Sequence, residues 1–540
     1  MVNKIVIILF ALLVAGANGD VMAQQKKKSV SKVSKQYAKY VKDKAQGKEK
    51  LSQKRSSDPA TVSREQDSVI VEETQDPMRA AYEQFKQQAR TDYENFRDKA
   101  NKEYAEFMKQ AWKEFHAMPA IPQPVEKEKP PVVIEEEKKK PIEDKPLPIE
   151  EEVVTIPAPE PQPVPVAPIK EQPVVEEESV SFTVFGSSMK VRFDSSERFQ
   201  LKDCSEQTLS DAWKRLSGKA YNNTIRDCLE LRIRRQLSDW AYLKMLDSFS
   251  KACLGNSNEA VLLMAYIYCQ SGYRMRIGTI NEQLYLLYAS QHIVYQKAYY
   301  TLDNDYYYIY DNSVTSLRIC NIAFPKEKSL SFYIPQEQQF DYAPSELRHL
   351  KSRRYSDMDI TSQVNKNVIA FCNSYPKSSI WDNFMTRWAM IANTPMEKGV
   401  KEKMYPQLLK AIKGLTEKEA MERLLNWVQT ALVYEYDDKV WGGDREFFAE
   451  ESLYYPYADC EDRSILLSRL VRDLLGLKAI LIYYPGHLAM AVEFTEQVKG
   501  DYIMLDGHKF VVCDPTYINA NVGMTMPKMD NAAAKVILLD

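Results

Sequence analysis

Fifteen of the chain's 27 prolines fall between Pro119 and Pro173, and no other feature limits the possible folds as firmly. Proline has no amide hydrogen to donate and fixes φ. A run of this density, interleaved with Val, Glu and Lys, suits neither a helix interior nor a central strand and favours extended polyproline II segments. The chain is thereby divided, with residues 117–178 read as a linker. At about 3.1 Å per residue the stretch from Pro119 to Pro173 would reach on the order of 170 Å when fully extended, enough to hold a C-terminal domain far from an N-terminal attachment point. The remainder of a 540-residue chain that is 44% apolar can bury two domain-sized cores.

Ahead of the prolines, Lys4 and the short apolar run Ile5 to Ala15 have the form of an export signal over residues 1–23. Small residues offer cleavage after Gly19 or after Ala23. The alternative is an uncleaved anchor, but no stop-transfer pattern follows the run. The expected location is periplasmic or secreted. Residues 24–77 are polar and without apolar periodicity, as in disordered segments. Residues 78–116 carry an 11-residue repeat that sets Tyr82, Tyr93 and Tyr104 in register, then Phe85, Phe96 and Phe107, then Ala89, Ala100 and Ala111. A period of about 3.67 residues per turn places these rows on one nearly straight helical stripe. Such a helix either packs on its own protein, self-associates, or docks on a partner or envelope surface. The formal net charge of −3 and the lack of a basic, aromatic-interleaved stripe exclude nucleic acid as an expected partner.

From residue 179 the pattern becomes globular and of α+β type. A hairpin pattern brackets Gly186-Ser187-Ser188, helical patterns run to about Cys269, strand-like runs continue to Asp311, and the same order recurs after about residue 400. The reading is a unit at 179–345 and another at 346–540. Eight cysteines show neither a CxxC pair nor zinc-ligand spacing, so no metal or cofactor is expected. Disulfides are left open.

The chemistry-bearing stretch is YADCEDRSILLSRLVRDLLGLKAILIYYPGHLAMAVEF followed by LDGHKFVVCDPTY. Apolar spacing from Ile465 to Leu475 predicts a helix closed by Gly476. Asp459 is its N-cap and Asp462 the reciprocal half of a capping box. Cys460 then sits in the first turn, where unpaired amides and the macrodipole favour a thiolate, while Asp459, Glu461 and Asp462 oppose it. An imidazole is therefore required. His487 stands after Pro485-Gly486 at a strand start, and Asp514 follows the strand KFVVC, placed to orient that imidazole. Singly, each has a plain reading: a small buried hydrophobe, a hydrogen-bonded strand end, an Asp-Pro turn.

Together these residues resemble the transglutaminase-like superfamily, which includes transglutaminases, peptide N-glycanases and many bacterial cysteine peptidases. The resemblance covers about residues 415–520. It implies a papain/transglutaminase-like fold with Cys460 as nucleophile, His487 as general base and acid, and Asp514 fixing its tautomer. The Cys460 amide would contribute to an oxyanion hole, and Trp441 is a weaker candidate for oxyanion or substrate contact. A longer insertion, TEQVKGDYIMLDG, departs from the pattern and reads as an extra hairpin arm, with His508 beside its turn as a rival base.

The region from Asn256 to Leu284 overlays the same motif without a gap, Gly272 falling on Gly476, and with one adjustment Asp311 falls on Asp514. This predicts a degenerate first copy, with Asn256 at the nucleophile position and Gln283 at the histidine. What the resemblance implies is acyl transfer from an amide through a thioester, with a protein or peptide as substrate. The resemblance favours hydrolysis over cross-linking, since bacterial members of the family are more often proteases and no calcium-ligand run is visible. The rival is a non-catalytic binding or scaffold protein.

Overall fold

The computed structural model describes residues 77–135, 142–149, 153–173, 178–311 and 314–540. The signal-peptide and polar-segment expectations lie outside the described residues. The fold is mixed α+β with antiparallel sheets.

Helix α1 (Pro77–Met108) ends before the third repeat is complete, and residues 112–116 form strand β1 (Trp112–His116) instead of more helix. The Trp112 indole donates to the Met108 carbonyl at 2.6 Å and closes the helix end. The stripe is also split: Ala100 and Tyr104 are buried, whereas Phe96 and Phe107 are 42% and 59% exposed. The face that packs is Arg97, Ala100, Asn101, Tyr104, Ala105 and Met108, at the i, i+3, i+4, i+7 spacing of an ordinary amphipathic helix.

The proline-rich segment is a correction to the spacer expectation, because its described parts are laid along the folded bodies. It supplies two short strands, β2 (Lys145–Pro146) and β3 (Val153–Val154). Leu147, Val153, Val154, Ile156, Val166 and Ala167 are buried. Its polar groups are used as well: Arg232 donates to the Pro163 carbonyl and Asn222 to that of Lys170. Proline removes a donor but leaves the carbonyl and the neighbouring apolar side chains free to pack, so the segment can adhere to a surface without joining its ladders.

The first unit opens with the hairpin β4 (Ser179–Val184) and β5 (Ser187–Arg192), turning at Phe185-Gly186. Helices α2 (Glu206–Leu216), α3 (Asn222–Arg234), α4 (Asp239–Leu254) and α5 (Asn258–Gln270) follow. Then come β6 (Met275–Ile280), β7 (Gln283–Ser290), β8 (His292–Val294), β9 (Tyr299–Leu302), β10 (Asp305–Ile309) and β11 (Ser316–Cys320). The main sheet has the order β1-β11-β6-β7-β10-β9. Met118, just beyond β1, bridges Tyr299 in β9 and brings the two edges together into a near-barrel, which removes exposed edge strands.

The second unit begins with β12 (Arg348–Lys351), β13 (Asp359–Ser362), α6 (Lys366–Ser374) and β14 (Ser378–Ile380). Its helices are α7 (Thr386–Asn393), α8 (Lys398–Ile412), α9 (Glu417–Ala431), α10 (Asp437–Val440), α11 (Ala449–Tyr454) and α12 (Cys460–Leu470), with α7, α9 and α11 packed on α12. Strands β15 (Lys478–Tyr484), β16 (His487–Glu493), β17 (Asp501–Leu505), β18 (His508–Val512) and β19 (Lys535–Leu538) complete a sheet of order β2-β17-β18-β16-β15-β19-β3. The succession β17-β18-β16-β15-β19 repeats β9-β10-β7-β6-β11. One continuous apolar core runs through both units, and β14 pairs with β8 across their boundary.

Candidate functional site

Helix α12 is buried on nearly every side, from Cys460 through Ser468 and at Leu470. A helix placed there must satisfy its polar side chains internally. Arg463 donates to the carbonyls of Ala458, Gln429 and Leu432, and Ser464 to that of Leu488. Asp459 caps the start by accepting from the Asp462 amide, and Asp462 reciprocates. A π-helical turn over Val471–Leu475 and Gly476 at φ 66° end the helix. Cys460 is thereby fixed at the first helical position, where its amide has no intrahelical acceptor.

His487 is the first residue of β16, paired with Tyr484 across the Pro485-Gly486 turn. Gly486 has φ 77°, which after a proline is type II turn chemistry. The His487 Nε2 lies 2.9 Å from Asp514 Oδ2. Asp514 Oδ1 accepts from the amides of Thr516 and Tyr517, so its carboxylate is held at both oxygens. The other imidazole nitrogen, Nδ1, is buried without a hydrogen-bond partner among the described residues. Cys460 and His487 line one small cavity of about 30 Å³ together with Arg387, Trp388, Asp444, Glu461 and Tyr483.

The thiol is directed elsewhere: it donates to Glu461 Oε2 at 3.0 Å. Burial, then Glu461, Asp459 and Glu128, push it well above the usual thiol range. Burial and the carboxylates of Asp444, Glu128 and Asp462 likewise push Glu461 well up. A thiolate and a carboxylate in contact in a buried site cannot both be charged, so this pair holds at least one proton. Transfer of the thiol proton to Nδ1 requires the sulfur to turn away from Glu461.

Trp441 is not brought to this cavity. It is half-buried and packs on Phe447 and Tyr455, with the Arg445 guanidinium 4.4 Å from its ring centre. His508 is also elsewhere, paired with Glu493 at the start of β18 beside the Asp506-Gly507 turn. In the first unit Asn256, Gln283 and Asp311 line one pocket of about 270 Å³. Helix α5 is capped by Ser257 as α12 is capped by Asp459, so the residue standing first in the helix is Asn258, not Asn256. The Asn258 side chain accepts from Gln283 Nε2 at 2.9 Å.

Sequence reasoning missed Arg387, which lies between Asp444 at 3.0 Å and Glu446 at 2.6 Å with its guanidinium over Trp388. The local FMTRWAM pattern carries no sign of it. It also missed an acidic trio in which oxygens of Asp437, Asp459 and Asp462 lie within 4.8 Å of one another. Each of these carboxylates already accepts from a main-chain amide. Three such donors fall short of a calcium shell. All eight cysteines are free and buried.

No family model, curated protein or solved structure matches the chain.

Proposed function

We propose that this protein is an exported, transglutaminase-like cysteine hydrolase acting on peptide or amide bonds. The observation that carries the reading is that His487, held by Asp514 at 2.9 Å, lines the same cavity as Cys460. In the proposed reaction His487 takes the Cys460 proton and the thiolate attacks the amide carbonyl. The imidazolium then protonates the leaving amine, and water hydrolyses the thioester. Attack by an amine instead of water would give cross-linking by the same intermediate.

The first unit is proposed as a duplicated, non-catalytic copy of the second. Shared strand order, the matched turns at Asp303-Asn304 and Asp506-Gly507, all with positive φ, and the Asn258–Gln283 contact support this reading. Neither Asn nor Gln forms a thiolate–imidazole pair, so this copy is read as a brace or substrate-binding unit. Export rests on the N-terminal sequence. Among the described residues no helix is long and apolar enough to cross a membrane.

The second reading, a scaffold with a vestigial site, is favoured by one observation: the thiol donates to Glu461 and its proton is held tightly. The two are separated by comparing peptides released from a mixed peptide library by wild type and Cys460→Ala, alongside labelling by a thiol-directed affinity probe. The hydrolase reading expects release and labelling that both vanish in the variant. Identical release profiles with no Cys460 labelling would leave the scaffold.

A further inference from the structure

The groove over Cys460 is filled by the chain itself. Pro124, Glu126 and Glu128 of the proline-rich segment line the same cavity as Cys460 and His487. Both main-chain groups of Gly486, the residue before His487, are engaged by that segment. Its carbonyl accepts from the Lys129 amide at 2.8 Å, and its amide donates to a Glu126 carboxylate oxygen at 2.6 Å. The second Glu126 oxygen accepts from the Tyr483 hydroxyl. Glu128 accepts from the Tyr434 hydroxyl at 2.8 Å, and Gln123 donates to Asp444 at 2.9 Å. A Cβ built on Gly486 would stand 2.4 Å from the Lys127 carbonyl oxygen, so the two backbones are in contact. With the segment in place Cys460 is 1% exposed and His487 3%, so a second peptide has an approach only while the segment is undocked.

These contacts are those an extended ligand makes, with main-chain bonds holding the backbone and side-chain pockets selecting the residues. Pro122, Pro130 and Pro131 bracket the stretch and Pro124 lies within it, which favours an extended backbone and lowers the entropy lost on docking. Tethering raises its effective concentration over any free competitor. We propose that residues 123–129 are a tethered occupant of the substrate groove, and that this groove takes extended peptides with a carboxylate side chain at the place of Glu126. The proposal rests on reading Cys460 as the nucleophile. Release of the segment opens the cavity and also withdraws Glu128, one of the charges that keep the thiol protonated.

The test uses the full chain. Iodoacetamide labelling of Cys460 is followed by peptide mass spectrometry in wild type, Glu126→Ala and the isosteric Glu126→Gln, the last serving if Glu126→Ala lowers the melting temperature. Fluorescein-labelled QPVEKEK, the sequence of residues 123–129, is titrated by anisotropy into the same proteins carrying Cys460→Ala, which need no chemistry to bind. Losing a charge-assisted hydrogen bond from the segment is expected to speed labelling by about tenfold or more and to raise peptide affinity by a similar factor. The peptide with Gln in place of its first Glu should bind more weakly. Unchanged labelling, or a peptide that binds no variant better than wild type, overturns the proposal. Peptide binding that rises in the Glu126 variants without any hydrolysis would uphold the groove and remove the enzymatic reading. Hydrolysis with peptide binding unchanged in the Glu126 variants would do the reverse.

Discussion

Cys460 and His487 meet at the cavity through different constraints, and their variants should fail differently. In the proposed mechanism His487→Ala removes the proton acceptor for the thiol and the acid for the leaving amine, and peptide release should fall by about 10⁴-fold. Asp514→Ala leaves an imidazole but frees its Nε2 at a buried position. A smaller loss, about 10²-fold, is expected. His508→Ala should leave release unchanged, because that ring pairs with Glu493 outside the cavity. Quantifying library peptides by mass spectrometry orders the three. Equal losses in all of them would discard the assignment. The helix start at Cys460 and the strand start at His487 were legible because caps and turns are local chemistry: Asp459 with Asp462, then Pro485-Gly486. The thiol's bond to Glu461 was not, since it depends on a rotamer chosen by the surrounding core.

At the scale of single elements, burial decides what each residue of a helix is worth. On α1, Tyr104 is buried against Trp213 and Phe324, so Tyr104→Ala should cost about 3 kcal/mol in urea unfolding. Phe107→Ala, on the exposed side, should stay within about 0.5 kcal/mol. The reverse ranking would mean that the packed face is misassigned. Helix α11 offers a pH signature. Glu450 is fully buried there, accepts from the Glu397 amide at 2.7 Å, and burial pushes its carboxyl from 4.5 to about 7. Between those values the folded state binds more protons than the unfolded one, so this group's contribution to stability falls as pH rises through the window and levels off above it. Glu450→Gln should therefore gain stability relative to wild type at pH 8, by up to about 3 kcal/mol, and little at pH 5. A pH-independent difference in denaturant midpoint would refute the linkage.

Across the whole molecule, the segment before residue 178 completes both sheets rather than merely connecting them. Strand β1 closes the near-barrel, while β2 and β3 cover the two edges of the larger sheet. A chain beginning at residue 178 should accordingly expose apolar edges, bind ANS and melt at lower temperature than the full chain. An unchanged melting temperature would show the two units to be self-sufficient.

What the sequence determined by itself is short-range: where helices start and stop, which turns need a left-handed residue, and which residues can ionise. The hairpin at Asp506-Gly507 and the end of α12 at Gly476 follow from backbone preferences that operate within a few residues. Tertiary structure alone decided the rest. Prolines specify an extended chain but not the surface it lies on, and only the assembled groove shows Glu126 against Gly486. Trp441 went to Arg445 and Tyr455, and Arg387 to Asp444 and Glu446, because long side chains settle where distant elements leave matching charge and space. Arg387 meets partners more than fifty positions away, and even the nearer partners of Trp441 are chosen by how the surrounding elements pack, which local pattern does not encode.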